Sequence, residues 1–485
     1  MTDPVPNSAD SPTLDSSAVT LPGVLMQAIT HIAPVVGLIF TVQAITGVAG
    51  IASPFALAFA CLAMATVSVS VIQLSKKISS AGGYFTWVSQ IIGPRSGFFV
   101  AWVFLLFEPI GAGINLAFLG GILEATLQSE YGFRLHWWIT AGLGAALLTV
   151  VSYFGLKISI RFIVLMGIFE LAVCIALAAT GLLNPGEGGV NFAPFNPANA
   201  LSFNGLFLGI VFSIFAFAGF ETVAPLAEES RDPKKTLPRA VMLSLVVAGA
   251  FFLFTSWGVL VGWGTEDVDS FVADGSGVLT LAHKLWGSAW ILVMIALINS
   301  ALAVGVAVQN ASTRVIFGMA RAGALPAPLA KIHPQRRTPV NAVWAQSAIT
   351  AVVALGGGFA FGAVGVLEFA AIIITICVII VYSAGNLSSW RLYSRTYPGE
   401  YNRFTHLAMP VVSTVILLFV GYKTLFPLPT GVNGWAPIVA VAWMCIGLAI
   451  VVVLSRSGKA VWMDRAGRGL VEAEHVLSEK ASGPE

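Results

Sequence analysis

The chain has 485 residues, 57% hydrophobic and only 10% charged, with 25 Lys and Arg against 23 Asp and Glu, and its mean hydropathy is +0.87. Soluble domains carry about 25% charged residues, so this composition excludes a large soluble domain and describes one polytopic membrane domain. The basic residues sit in short clusters between apolar runs, which excludes a nucleic-acid surface, and no phosphate loop, paired metal ligands or Ser-His-Asp order points to an enzyme, a metal or a cofactor.

Residues 1–22 are polar, rich in Ser, Pro and Asp, and contain no Lys or Arg. That is not the basic start of a signal peptide, and the stretch reads as a disordered cytoplasmic tail. Roughly 20 apolar residues span a hydrocarbon core as a helix. Twelve such segments follow, at 24–46, 51–74, 97–127, 136–155, 161–183, 204–227, 239–263, 288–320, 340–360, 364–389, 408–427 and 434–455. The expected fold class is therefore an all-α polytopic membrane protein with twelve transmembrane helices. The third and eighth segments are long enough to be tilted or extended beyond the bilayer. Residues 78–93 are amphipathic, interrupted by Gly82-Gly83, and read as an interfacial loop helix. Cys61, Cys174, Cys377 and Cys445 lie in apolar runs without CxxC spacing and read as small buried residues. The chain closes with a polar tail, 456–485, in which 461–480 read either as a short amphipathic surface helix or as solvated chain.

With the N-terminus placed in the cytoplasm, 22 of the Lys and Arg fall inside, and only Arg134, Lys284 and Lys423 fall outside. This asymmetry fits the positive-inside rule with both termini cytoplasmic.

Two segments are interrupted. The first reads Ala28-Ile29-Thr30-His31-Ile32-Ala33-Pro34-Val35-Val36-Gly37. Pro34 removes a backbone donor and Gly37 relaxes the chain, so a break is expected between Ala33 and Gly37. The sixth carries Ala218-Gly219-Phe220-Glu221, and a glycine with a carboxylate at hydrocarbon depth is tolerated where backbone lines a cavity. Breaks in segments one and six are five spans apart, the pattern of a five-plus-five inverted repeat whose half-helix ends hold a substrate at the midplane. Residues 23–390 would then form a ten-helix transport core, with helices 11 and 12 (391–455) peripheral.

Intramembrane acids are candidate functional sites. Glu221 reads as an ion-pair partner for a substrate amine or a proton, or else as an acid bonded to freed backbone. Glu170 lies roughly 13–14 Å along its helix from Arg161, near the midplane, and reads as a proton carrier or a satisfied acid. Glu108-Pro109 reads as a cation ligand or a plain kink. His31 either titrates at the cavity or caps a freed carbonyl. Glu368, near an outer helix end, snorkels toward water. Glu228, Glu229, Arg231 and Asp232 would sit at the inner mouth, where salt bridges could close a gate.

Phe215-Ala216-Phe217-Ala218-Gly219-Phe220-Glu221-Thr222, with Glu228-Glu229, Asp232-Pro233 and Pro238-Arg239-Ala240, resembles the sixth-helix signature of the amino acid–polyamine–organocation permeases. Ala311-Ser312-Thr313-Arg314-Val315, Met319 through Pro326 and Arg337-Thr338-Pro339-Val340-Asn341-Ala342 are similar to the family's eighth helix and following loop, and Ser80-Ala81-Gly82-Gly83-Tyr84 to its loop after helix two. The resemblance covers roughly residues 24–390. It implies a LeuT-like fold and secondary transport of amino acids or amines across a plasma membrane, bacterial by expectation, through proton-coupled symport or exchange. It also implies an aromatic, Phe215, over the substrate and acting as a gate with Glu228, Glu229 and Arg231. The implied substrate-facing set is Ile32, Ala33, Pro34, Val35, Val36 and Gly37, then Glu108, then Phe215, Ala218, Gly219, Phe220 and Glu221. Glu170, Glu221 and His31 are the implied proton-coupling residues. Ser312 and Thr313 fall where sodium-coupled relatives present hydroxyls to the ion, and a sodium-coupled carrier or a channel for small organic cations are the alternatives. One departure bears on the substrate. Family members that bind α-amino acids usually carry a Gly-Ser-Gly-type run in helix one, whereas this chain has Ala-Pro-Val-Val-Gly, leaving room for an amine, a polyamine or an ω-amino acid.

Overall fold

A computed structural model of the protein describes residues 14–426 and 428–456. Among these residues the regular structure is helical, apart from an isolated parallel bridge between Val19 and Ser230. Fifteen helices carry the fold: α1 Leu21–His31, α2 Val42–Ala49, α3 Ser53–Lys77, α4 Tyr84–Ile91, α5 Pro94–Phe107, α6 Gly111–Tyr131, α7 Trp137–Tyr153, α8 Leu156–Leu183, α9 Phe203–Ala216, α10 Pro233–Trp263, α11 Ile291–Arg321, α12 Val340–Ala351, α13 Gly365–Arg395, α14 Met409–Leu425 and α15 Trp435–Arg456. Their limits follow local chemistry. Proline opens α5 and α10 and stands in the first turn of α3, where its missing N–H has no partner to lose. Gly132, left-handed at φ 64, closes α6 by donating to the Gln128 carbonyl.

Nine described segments are long and apolar enough to cross a membrane, and Trp137–Tyr153 and Phe203–Ile214 are shorter apolar helices. The first of the nine, Leu21–Lys77, is 57 residues long and turns at Gly50, where φ is 63 and ψ −145. The protein is a multi-pass membrane protein.

Three interruptions shape its centre. In the first, α1 ends at His31, Ala33 takes a left-handed conformation at φ 57, and the chain resumes as Pro34–Val36 and a π-turn, Gly37–Thr41, before α2. An L-residue held there costs on the order of 1–3 kcal/mol. In the second, α9 stops at Ala216, and the chain continues as a 3₁₀ segment, Phe220–Glu229, with Pro225 inside it. Runs of 3₁₀ longer than 3–4 residues are uncommon, and Pro225 cannot donate to an α-type ladder. The third separates α5 from α6 at Glu108-Pro109-Ile110. There the freed Pro109 carbonyl accepts from Gln346 Nε2 on α12 at 2.8 Å. From the sequence this point reads as a cation ligand or a kink; the structure opens the helix there.

The broken elements are the inner ones. α1 packs against α8, α10, α11 and the Phe220–Glu229 segment. α14 and α15 lie outside, against α3, α5 and α13. Trp102 and Trp443 stack at 4.5 Å and each indole donates to the other's carbonyl, which fastens α15 to α5. Two expectations need correction. α4 is not an interfacial helix: Tyr84 through Ser89 are buried within the protein, against α5 and α13. Cys445 is exposed on the outer face of α15, whereas Cys174 and Cys377 are buried. Residues 461–480 lie outside the described residues.

Candidate functional site

The three interruptions meet at a cavity of about 150 Å³. His31, Ile32, Ala33, Val36 and Gly37 line it from the first break. Ala218, Gly219 and Glu221 line it from the second, and Glu108 from the third. Val304 and Val308 of α11, with Leu367, Ile374 and Val378 of α13, supply an apolar wall. A mostly apolar cavity with a few convergent polar groups is the usual form of a small-molecule site. Pro34, Val35 and Phe220, expected at the site, are buried beside it instead; Phe220 packs on the Tyr382 ring at 6.0 Å. The side chain of Phe215 lies outside the described residues.

Local geometry explains the glycine. Gly219 has φ 122, and a Cβ there would run into the His31 ring. The two breaks are therefore in contact, and only glycine fits both the conformation and the approach. The turn closes on itself: the Gly219 N–H donates to Glu221 Oε2 at 3.0 Å, and the Thr222 hydroxyl donates to the Gly219 carbonyl at 2.6 Å. Glu221 also borders a second, much smaller pocket lined by Tyr84, Phe104 and Pro225, so it separates the cavity from the space beneath it.

The other acids are barely satisfied. Glu108 is 4% exposed, and its Oε1 lies 3.8 Å from His31 Nδ1, beyond hydrogen-bond length, with neither atom bonded elsewhere. Glu170 is fully buried on α8 with neither carboxyl oxygen hydrogen-bonded, and Ser300 of α11 faces it without closing a bond. Glu170 does not line the cavity. It stands one turn from Gly167, where α8 presses on Met26 and Thr30 of α1. Ser312 and Thr313 are likewise buried on α11 with unpartnered hydroxyls.

At the far end of the Phe220–Glu229 segment the arrangement reverses. Arg314 of α11 holds Glu229 with two bonds, Nε to Oε2 at 2.7 Å and Nη2 to Oε1 at 3.2 Å, and the pair is 1% and 2% exposed. A bidentate guanidinium–carboxylate pair fixes direction as well as charge. The Arg314 Nη1 also donates to the Asn310 carbonyl, while the Asn310 amide donates to Gln27 Oε1 and Ser159 donates to Asn310 Oδ1. One polar network thus ties α1, α8 and α11 to the segment. Glu228 accepts from Arg321 at 2.8 Å and from the Ala81 N–H at 2.9 Å. Burial pushes the Glu228 carboxyl up, but Arg321 and the Ala81 amide outweigh it and hold it below the usual carboxylate range. Val19 bridges the same place, donating to the Glu229 carbonyl and accepting from the Arg231 N–H. The Arg231 side chain is exposed, and its backbone N–H joins this cluster by donating to the Val19 carbonyl.

Arg314 and Arg321 were therefore missed as partners. The signal was present: they are seven residues apart on one helix, hence on one face, opposite two consecutive acids. The pairing of His31 with Glu108 was not legible, because it depends on how two breaks on different helices approach.

A family model described as amino acid permease matches residues 23–463. The chain is 26% identical to a branched-chain amino acid permease of Bacillus subtilis over 82% of its own length and 84% of that protein. It is 26% identical to a low-affinity putrescine importer of Escherichia coli, over 66% of the chain and 71% of the importer. It is also 26% identical to an Asc-type amino acid transporter of Mus musculus, over 59% and 54% respectively. These relatives are transporters, not enzymes.

Proposed function

We propose, from the premise that the chain belongs to the amino acid permease family, that it is a secondary active transporter which binds a small amino compound in the central cavity and moves it across a plasma membrane by alternating access. The observation that carries this reading is the meeting of three broken helices at one cavity lined by Glu108, Glu221 and His31. Irregular backbone and acids persist at hydrocarbon depth where they line a route for a substrate.

The chain crosses the membrane twelve times in this reading. The 57-residue run Leu21–Lys77 supplies two crossings, and the two shorter apolar helices join the other long segments. Residues 23–390 form the five-plus-five core, 391–455 form the peripheral pair, and both termini face the cytoplasm of a bacterial cell. The Arg314–Glu229 and Arg321–Glu228 pairs then close the cytoplasmic mouth. The substrate carries an ammonium group, because Glu108 and Glu221 favour a cation and helix one offers no glycine-rich cradle for a carboxylate. Transport is coupled to protons, with Glu170 as the carrier outside the cavity.

A second coupling ion has its own observation in its favour. The unpartnered hydroxyls of Ser312 and Thr313 are the donor type a sodium ion takes.

Counterflow in proteoliposomes tests the proposal. Preloaded amine or amino acid should drive saturable uptake of labelled substrate, which a pH gradient stimulates without sodium. Non-saturable flux would make the protein a channel, and strict sodium dependence would move the coupling to Ser312 and Thr313.

A further inference from the structure

His31 and Glu108 come from different breaks, the end of α1 and the turn between α5 and α6, yet they face each other across one corner of the cavity. The 3.8 Å between Nδ1 and Oε1 is too long for a hydrogen bond and short enough for an ion pair. Neither atom has another partner, although both are buried. A small shift would close the pair when the imidazole carries a proton. When the imidazole is neutral, the Glu108 carboxyl faces the cavity without that partner.

Two other titratable groups face this corner, Glu221 and the Tyr382 hydroxyl of α13. Among the described residues, Glu221 is the third titratable side chain lining the cavity, and it is already engaged by the Gly219 N–H. Glu170, on α8, lies outside the cavity lining. Arg314 on α11 is held by Glu229, and Glu228 by Arg321. Tyr382 on α13 packs on the Phe220 ring at 6.0 Å, and its hydroxyl faces Glu221 without closing a hydrogen bond. The charged residues of α10, Lys234, Lys235 and Arg239, are exposed at its start.

We propose that a proton on His31 and a substrate ammonium on Glu108 exclude each other, so that this pair exchanges one proton for one bound cation. The inference rests on the reading of the cavity as an ammonium site and deepens it: it makes the coupling at this corner an antiport of substrate against protons. The step involves no covalent change. The imidazole gains a proton, its Nδ1–H donates to the Glu108 carboxylate, and the ammonium leaves with its own protons.

Binding of labelled putrescine to the purified full-length protein tests this between about pH 4 and pH 8, a range that reaches below that of a free histidine because burial disfavours the charged imidazole. Wild-type affinity should fall toward a limit of about tenfold per pH unit on the acid side, the slope of a one-for-one competition. His31→Gln and His31→Asn should flatten that slope, and Glu108→Gln should abolish binding at every pH. A second measurement needs no variant: in weakly buffered solution near the midpoint, putrescine binding should release a fraction of a proton per site, rising toward one as the pH is lowered. If putrescine binds but both histidine variants keep the slope, or no proton is released, the exclusion is wrong while the ammonium site stands. If no amine binds the wild-type protein at any pH and an α-amino acid does, the ammonium site falls and the exclusion with it.

Discussion

Glu221 and Glu229 stand near opposite ends of one segment, Phe220–Glu229, and both are buried, at 4% and 2% exposure. They differ in what faces them. Glu229 meets a guanidinium fork that answers both of its oxygens. Glu221 meets a backbone amide and an open cavity, across which Glu108 and His31 are still less satisfied. Burying a charge costs several kcal/mol unless a partner offsets it. An acid with its partner built in serves the fold, and in the proposed reading an acid without one awaits the substrate. The charged mouth and the cavity are thus two uses of the same residue type on the same stretch of chain.

The largest expected effect breaks the mouth. Arg314→Met leaves Glu229 buried and alone and should cost about 3–5 kcal/mol, read as a loss of thermal or denaturant stability in detergent. Replacing both partners, as Glu229→Met with Arg314→Leu, should recover most of that loss, because the desolvation penalty disappears with the pair. A single variant as stable as wild type would remove the mouth's anchor from this account.

Next is the contact between the two breaks. Gly219→Ala places a side chain at φ 122 and against the His31 ring. It should destabilise by on the order of 1–3 kcal/mol and abolish uptake. Normal uptake by that variant would mean the breaks do not need their close approach.

Much of this contrast was legible in the sequence. Pro34, Gly219 and Glu221 mark two interruptions because their backbone and charge chemistry is local. The third, at Glu108-Pro109, was legible as a cation ligand or a kink but not as a full interruption, which goes with Gln346 of a distant helix taking the Pro109 carbonyl. Arg314 and Arg321 were counted as cytoplasmic charges, while the residue expected at the gate, Arg231, points to solvent. Composition ranks charges by side of the membrane, but it cannot choose which arginine meets which acid. The burial of α4 was illegible for a related reason: its polar Thr86 and Ser89 face protein rather than water. There the Ser80 and Thr86 hydroxyls bond each other at 2.9 Å.

Glu170→Gln sharpens the comparison at smaller energetic cost. The acid makes no hydrogen bond that an amide would lose, so stability should change by about 1 kcal/mol, while uptake loses much of its response to a pH gradient. A variant with unchanged pH response would take Glu170 out of coupling.

The smallest effect belongs to the half-exposed Glu228–Arg321 pair, worth at most about 1 kcal/mol. The Glu228 carboxyl is held below its ordinary value of 4.5. Its contribution is therefore fully present above that value and is lost as pH falls through the lowered one. The stability difference between wild type and Arg321→Gln should shrink on acidification; a difference that grows toward acid would reverse the assignment.

The most direct test sets Glu108→Gln beside Glu229→Gln and measures unfolding of each with and without putrescine. Glu229→Gln should lose about 3–5 kcal/mol whether or not the amine is present. Glu108→Gln should keep its ligand-free stability within about 1 kcal/mol and lose the stabilisation that putrescine gives the wild-type protein. If Glu108→Gln unfolds as readily as Glu229→Gln, or is stabilised by putrescine as fully as wild type, the cavity acids are structural and the division between the two regions is wrong.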